Sequence, residues 1–173
     1  MNRRGRSVRP FERDIKKNVK RERRERKENT MSDNRSLLER YVELYNAGDL
    51  DACMELYAED AVQRMHDGTF AGRSAIRERL ARDLTACPDA AYTVGSFVEQ
   101  GDSFADEWTF TGTQTGPLSL PDGTQLPPTG KRLEVEGMEL VQVRDGKIVV
   151  DNLYYDAMVI LGQAGFLPQG ATA

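Results

Sequence analysis

The sequence predicts an α+β domain, with helices gathered in its first half and antiparallel strands in its second. Three observations carry this. Apolar residues recur at helical spacing between Ser36 and Leu84. From Ala91 onward they alternate, as strands do. Near the C-terminus, Arg144-Asp145-Gly146 joins two long alternating runs, Lys131–Val143 and Lys147–Tyr155. Asp-Gly between such runs is a strong hairpin signal, because glycine tolerates the positive φ of the turn.

Taken in order, Leu37, Leu38, Tyr41, Val42, Leu44 and Tyr45 give the first helix a broad apolar face. Asn46-Ala-Gly-Asp ends it, with Gly48 as the stop. Asp49 then caps a shorter helix carrying Leu50, Met54, Leu56 and Tyr57. A first strand is expected at Ala61–His66, followed by a turn at Asp67-Gly68. Gly72-Arg-Ser opens a third helix, with Ser74 as cap and Ile76, Leu80 and Leu84 toward the sheet. Ala91–Glu99 and Ser103–Thr113 pair through a turn at Gly101-Asp102, and residues 117–130 form a Pro/Gly loop. The hairpin follows, and then a short helix, Ala157–Ala164.

The 173 residues suffice for one compact domain. A net charge of −4 conceals two opposed halves: residues 1–30 carry 13 Lys/Arg against 5 Asp/Glu, and residues 31–173 carry 11 against 23. The acidic body argues against nucleic acid as a partner of the domain, since phosphate binding needs clustered positive charge. From Asn2 to Thr30 the basic segment has only Val8, Phe11, Ile15 and Val19 as large apolar residues, too few to dock, and residues 1–30 are expected to be a disordered tail. It lacks the apolar stretch of a secretory signal. Met31-Ser-Asp reads as a natural beginning for the domain 31–173. No apolar run approaches the length of a membrane span. Cys53 and Cys87 show no metal-ligand spacing, so a reduced, cytoplasmic protein without a metal is expected.

Three stretches carry a family resemblance. PPTGKRLEVEGMELVQVRDGKI (Pro127–Ile148), WTFTGTQTG (Trp108–Gly116) and YNAGDLDACMELYAEDAV (Tyr45–Val62) resemble the SnoaL-like polyketide and ester cyclases of the nuclear transport factor 2-like superfamily. The resemblance covers Leu37 to Pro168. It implies a cone in which a curved antiparallel sheet wraps around three helices and encloses one pocket for a small hydrophobic molecule. It also implies catalysis without a cofactor and a homodimer formed through the outer face of the sheet.

Side-chain alternation sorts the candidate residues. Asp151, Leu153 and Tyr155 share one face of the last strand, and Gly137, Glu139 and Val141 share one face of its neighbour. On Ser103–Thr113, Ala105, Glu107 and Thr109 alternate with Asp106, Trp108 and Phe110. The resemblance chooses between faces. Leu153 stands where the cyclases have a catalytic Asp, and Glu139 and Asp151 stand where they have pocket histidines. Glu107 and Thr109 match an Arg and an Asp of limonene-epoxide hydrolases, and Met65 falls near the Asp base of ketosteroid isomerases. This register turns Glu107, Glu139 and Asp151 inward as acid–base groups, with Tyr155, Leu153, Thr109, Gln63, Met65 and His66 around the ligand. It turns Trp108, Phe110 and Tyr154 outward, as the dimer face. Several carboxylates in an apolar cavity repel one another, so at least one should hold its proton near neutral pH, as acid–base catalysis requires. His66, the only histidine, ends a strand beside a turn and reads first as a loop residue. The expected function is cyclase-, isomerase- or hydrolase-type chemistry on a carbonyl or polyketide-like compound. The alternative is non-catalytic binding, for which Leu153 in the Asp position is the motive.

Overall fold

A computed structural model describes residues 33–167, so the expectation of a disordered segment 1–30 lies outside the described residues. Helix α1 covers residues 33–46 and α2 covers Leu50–Met54. Strands β1 (Tyr57–Met65) and β2 (Gly68–Ala71) lead to helix α3 (Arg73–Ala86). Strands β3 (Ala91–Gln100) and β4 (Ser103–Thr113) follow, then a two-stranded ribbon of β5 (Leu118–Ser119) and β6 (Gln125–Leu126). The hairpin of β7 (Arg132–Arg144) and β8 (Lys147–Tyr155) precedes α4 (Ala157–Ala164).

The main sheet has the order β2-β1-β8-β7-β4-β3, antiparallel throughout except where β1 lies parallel to β8. Register shifts interrupt β1 against β8 and β3 against β4. Such bulges increase local twist and let a sheet bend. Between Val94 and Phe97 the shift falls at Gly95-Ser96, where β3 turns along the edge of the sheet.

The α+β class holds, with a curved sheet packed against helices. Local signals account for most element ends. Asp49 caps α2 by accepting from the Ala52 N–H at 3.0 Å, and Gly48 takes a φ of 73° between α1 and α2. Asp145 and Gly146 both have positive φ, 53° and 74°, as a two-residue hairpin turn demands. Three boundaries differ from expectation. Leu56 and Tyr57 leave the second helix, and Tyr57 begins β1, because its ring is needed in the core, where it is 1% exposed. Helix α3 starts at Arg73 after Gly72, whose backbone lies outside the helical region, so Ser74 is inside the helix and caps nothing. Gly68–Ala71 pairs with β1 as a short edge strand.

The core lies between the helices and the concave side of the sheet. Leu38, Tyr41, Leu44 and Tyr45 of α1 and Ile76 and Leu80 of α3 meet Leu133, Val135 and Val141 of β7. Each such side chain contributes about 1.5–3 kcal/mol by leaving water. The loop 117–130 is tied from within by Gln114, fully buried at 0% exposure. Its Nε2 donates to the Gly116 and Pro127 carbonyls at 2.8 and 3.0 Å, and its Oε1 accepts from Thr129 N–H at 2.9 Å.

Candidate functional site

Three carboxylates meet under the helices. Asp106 of β4 lies directly across the ladder from Glu139 of β7, and Asp151 of β8 pairs with Val141, two residues along the same face of β7. All three are buried, at 3%, 5% and 3% exposure. Glu139 feels the charge of both aspartates. Asp151 Oδ2 accepts from the Tyr57 hydroxyl at 3.0 Å and from Gln63 Nε2 at 2.8 Å. Neither Asp106 oxygen has a hydrogen-bond partner among the described residues, and Asp151 Oδ1 has none either. Buried this close together with so few donors, the three carboxylates disfavour one another's ionisation.

The electrostatics agree. Burial pushes Asp106 up to about 7, and the charge of Asp151 adds to this. Burial raises Glu139 well above the usual carboxylate range, with Asp151 and Asp106 repelling its charged form. Burial also raises Asp151, against the hydrogen bonds from Gln63 and Tyr57 that favour its charge. Ionising either aspartate therefore makes Glu139 harder to ionise.

Glu139 opens onto a cavity of about 70 Å³. Tyr41 and Tyr45 of α1, Tyr92 of β3, Trp108 and Phe110 of β4, and Tyr155 of β8 wall it with aromatic rings. Val135, Leu153 and Ile160 complete the apolar lining. Sites that enclose a whole drug-sized ligand measure about 300–1,000 Å³, so this cavity admits one end of a ligand. At the same cavity as Tyr155, Arg79 of α3 pairs with Asp83 through Nη2 at 3.0 Å. Burial opposes the charge of Arg79, but Asp83 and the surrounding groups more than offset this. Among the described residues no cluster of His, Cys, Asp or Glu is arranged to hold a metal ion.

Local structure positions these groups. Asn46, at the end of α1, brackets the backbone of Tyr92, donating to its carbonyl at 2.9 Å and accepting from its N–H at 2.7 Å. The Trp108 indole lies across Gly137, the residue opposite it on β7.

The expected site residues divide. Glu139, Asp151 and Gln63 are brought together, and Leu153 and Tyr155 line the cavity with Glu139. Glu107 is exposed and points away, Thr109 shares its face, and neither lines the cavity. The reason is a slip of one residue in choosing the face of β4, which inverts every side chain on it. Asp106 takes the place expected of Glu107. The same inversion puts Trp108 and Phe110 inside, with Trp108 at 5% exposure, so they form no dimer face; Tyr154 alone of that set stands outside, at 58%. Met65 and the exposed His66 border an outer groove with Arg64 and Asn152, and the His66 ring meets the edge of Tyr155 at 4.8 Å.

Asp106, Arg79, Asp83, Tyr41, Tyr45, Tyr92 and Trp108 are the site residues that the sequence reading did not assign. A signal for Asp106 existed: it shares parity with Phe104, Trp108 and Phe110, the large apolar side chains of its strand. Arg79 sits three residues after Ile76 and next to Leu80, on the buried face of α3.

No curated protein sequence matches the chain. Among solved structures, AclR of Streptomyces galilaeus, a candidate hydroxylase, is 26% identical with a TM-score of 0.69, covering 80% of this chain and 99% of that one. IdmH of Streptomyces antibioticus, a candidate polyketide cyclase, is 28% identical with a TM-score of 0.65, covering 75% and 96%. A candidate SnoaL-like polyketide cyclase of Jannaschia sp. CCS1 shares the fold at 19% identity, with a TM-score of 0.70 over 79% and 94%. The profile of the SnoaL-like polyketide cyclases matches residues 35–164, from α1 through the carboxylate-bearing strands to α4. The chain therefore belongs to the SnoaL-like polyketide cyclase family.

Proposed function

We propose that this protein performs cofactor-independent acid–base chemistry on a hydrophobic, enolisable carbonyl compound of polyketide type. The observation that carries this reading is Glu139: it lines an aromatic cavity while buried beside Asp106 and Asp151. An ionised Glu139 takes a proton from carbon next to a carbonyl, and the C–H electron pair becomes the enolate. That enolate attacks a second carbonyl carbon of the same ligand or is reprotonated, and the proton returns from the cluster to the resulting oxygen or carbon. Asp106 and Asp151 hold Glu139 in place and set its proton affinity, while Gln63 and Tyr57 fix Asp151. A carboxyl whose proton affinity is raised by burial and by its neighbours is suited to take up and return a proton.

The cavity receives the reacting end of the ligand, and the remainder stays outside it. Leu153, directly across the ladder from Glu139, supplies apolar surface there and takes no part in proton transfer. That substitution favours the second reading, a binding protein of the same fold. A homodimer through the outer face of the sheet, where Met138, Leu140 and Tyr154 are exposed, and a cytoplasmic location with Cys53 and Cys87 reduced belong to the same proposal.

Exchange of the α-protons of 2-tetralone in deuterated buffer, followed by proton NMR, tests the catalytic reading without needing the natural substrate. Wild-type protein should accelerate exchange over buffer, and Glu139→Gln should lower the rate by about 10²-fold or more. Exchange equal to buffer, with saturable binding of the ketone, leaves the binding reading in its place.

A further inference from the structure

The cavity wall carries two hydrogen-bond donors with nothing to donate to. Trp108 Nε1 and the Tyr92 hydroxyl are both buried and have no acceptor among the described residues. Their side chains are 5% and 6% exposed, and both residues line the cavity that Glu139 enters. The two rings stand side by side, centroids 5.5 Å apart and 30° between planes. Leaving a buried donor unpaired costs about 1–3 kcal/mol, so two together in one wall call for a common partner.

The surrounding structure fixes both donors and leaves them unpaired. Tyr92 is held through its backbone by both atoms of the Asn46 amide, which leaves its hydroxyl uncommitted. Trp108 is seated over Gly137, where a side chain as small as a methyl would come within 2.3 Å of the indole. The nearby carboxylates do not serve as their acceptors: Asp151 Oδ2 is taken by Tyr57 and Gln63, and both Asp106 oxygens are themselves without a partner among the described residues.

We infer that Trp108 and Tyr92 together form an oxygen-binding pair that receives a carbonyl, enolate or phenolate oxygen of the ligand. A ligand with an acceptor oxygen at its inserted end satisfies both donors, and a hydrocarbon of the same shape leaves them unpaired. Resting on the acid–base reading, the pair also has a catalytic consequence: the oxygen gains negative charge as Glu139 takes the α-proton, and the two donors bind that charge more strongly than the ground-state carbonyl. The pair thus selects ligands bearing an oxygen near the acidic carbon, and the aromatic walls select flat ones.

The chain has a single tryptophan, so its indole N–H gives one assignable NMR resonance. The full-length protein is titrated with 2-naphthol and with 2-methylnaphthalene, following that resonance after ¹⁵N labelling. 2-Naphthol should move it downfield and saturably, whereas 2-methylnaphthalene should not produce that shift. Tyr92→Phe and Trp108→Phe should each weaken 2-naphthol binding by about tenfold and leave the hydrocarbon unaffected, tenfold corresponding to about 1.4 kcal/mol. Tyr92→Phe removes one oxygen and keeps the ring, so it serves where Trp108→Phe fails to fold. Saturation by 2-naphthol with the indole resonance unmoved, equal affinities in wild type and Tyr92→Phe, or no saturable binding would each overturn the pair. None of these readouts requires turnover, so loss of the pair is distinguishable from failure of the 2-tetralone exchange test.

Discussion

The indole of Trp108 occupies the space that a side chain at Gly137 would need. A Cβ built at Gly137 would sit 2.3 Å from Trp108 Cζ2, with Cη2 and Cε2 also under 3 Å away. The two residues face each other across β4 and β7, so glycine on one strand admits the largest side chain on the other. This pairing sets one wall of the cavity. Gly137→Ala should therefore displace the indole and destabilise the protein by about 1–3 kcal/mol, the usual cost of overpacking. Urea unfolding followed by the fluorescence of this single tryptophan measures both effects. Unchanged emission together with an unchanged midpoint would show that the indole has room to move.

The buried cluster makes stability fall as pH rises above about 5. Asp106, Glu139 and Asp151 all have folded-state proton affinities raised above those of the unfolded chain. The unfolded carboxylates lose their protons near pH 4, whereas Asp106 keeps its proton to about 7 when folded. The stabilisation linked to these protons is complete below pH 4 and is lost as pH climbs through the folded values. Asp89, held low by its hydrogen bonds to Thr113, acts oppositely and favours folding above its unfolded value. The melting temperature should decline between pH 5 and pH 8, and Asp106→Asn should flatten that decline. Equal slopes in wild type and variant would mean that the cluster is hydrated and ordinary.

Neighbours on β4 should behave as opposites. Glu107 is exposed and Asp106 is buried against Glu139. Glu107→Gln should leave both α-proton exchange and melting within error of wild type, because an exposed charge away from the site contributes little. Asp106→Asn should change the pH at which exchange is half-maximal, since it removes one of the charges that raises Glu139. A larger kinetic effect from Glu107→Gln than from Asp106→Asn would reverse the face assigned to this strand.

These contrasts show which parts of the molecule were readable from residues alone. Alternation sorted β7 and β8 into two faces, between which only the resemblance chose, whereas the hairpin turn at Asp145-Gly146 and the cap at Asp49 follow from local chemistry. They were legible because each is decided within a few residues. The face of β4 was legible too, in the alternation of Phe104, Trp108 and Phe110 with Ala105, Glu107 and Thr109. Carrying over a relative's register overrode that apolar pattern by one residue and exchanged Asp106 for Glu107. Arg79 and Tyr92 were harder. The pairing of Arg79 with Asp83 is an i,i+4 contact that helical spacing offers, but nothing local places Arg79 on the same cavity as Tyr155, and Tyr92 depends on Asn46, 46 residues away. Long-range partners of this kind appear only when α1 and α3 are laid on the sheet.

Gln114 is the internal tie of the loop 117–130, so Gln114→Ala should loosen that loop before it touches the site. The substitution leaves the Gly116 and Pro127 carbonyls and the Thr129 N–H without their buried partner. A cost of about 2–3 kcal/mol is expected. Hydrogen exchange at Thr129 and Gly130 should accelerate while the N–H groups of β8 remain protected. Uniform acceleration across the sheet would instead make Gln114 part of the global core.

Leu153→Asp tests the cluster from the opposite direction, by adding a charge where the fold has apolar surface. Leu153 is the ladder partner of Glu139 and is 7% exposed, so a carboxyl there enters the same buried space. Arg79, the cation at that cavity, is already paired with Asp83 and is unable to neutralise a fourth acid without releasing it. Burial and repulsion should therefore raise the new group and its neighbours alike. The variant should be less stable by about 1–3 kcal/mol at neutral pH. Because the added carboxyl has a raised folded-state proton affinity, its deficit should shrink at pH 5, where it is protonated, and grow at pH 8. Denaturant unfolding at the two pH values separates this from simple loss of leucine packing, which costs the same at both. A pH-independent deficit would show that the cavity hydrates the new carboxylate, and would remove the electrostatic basis for assigning proton transfer to Glu139.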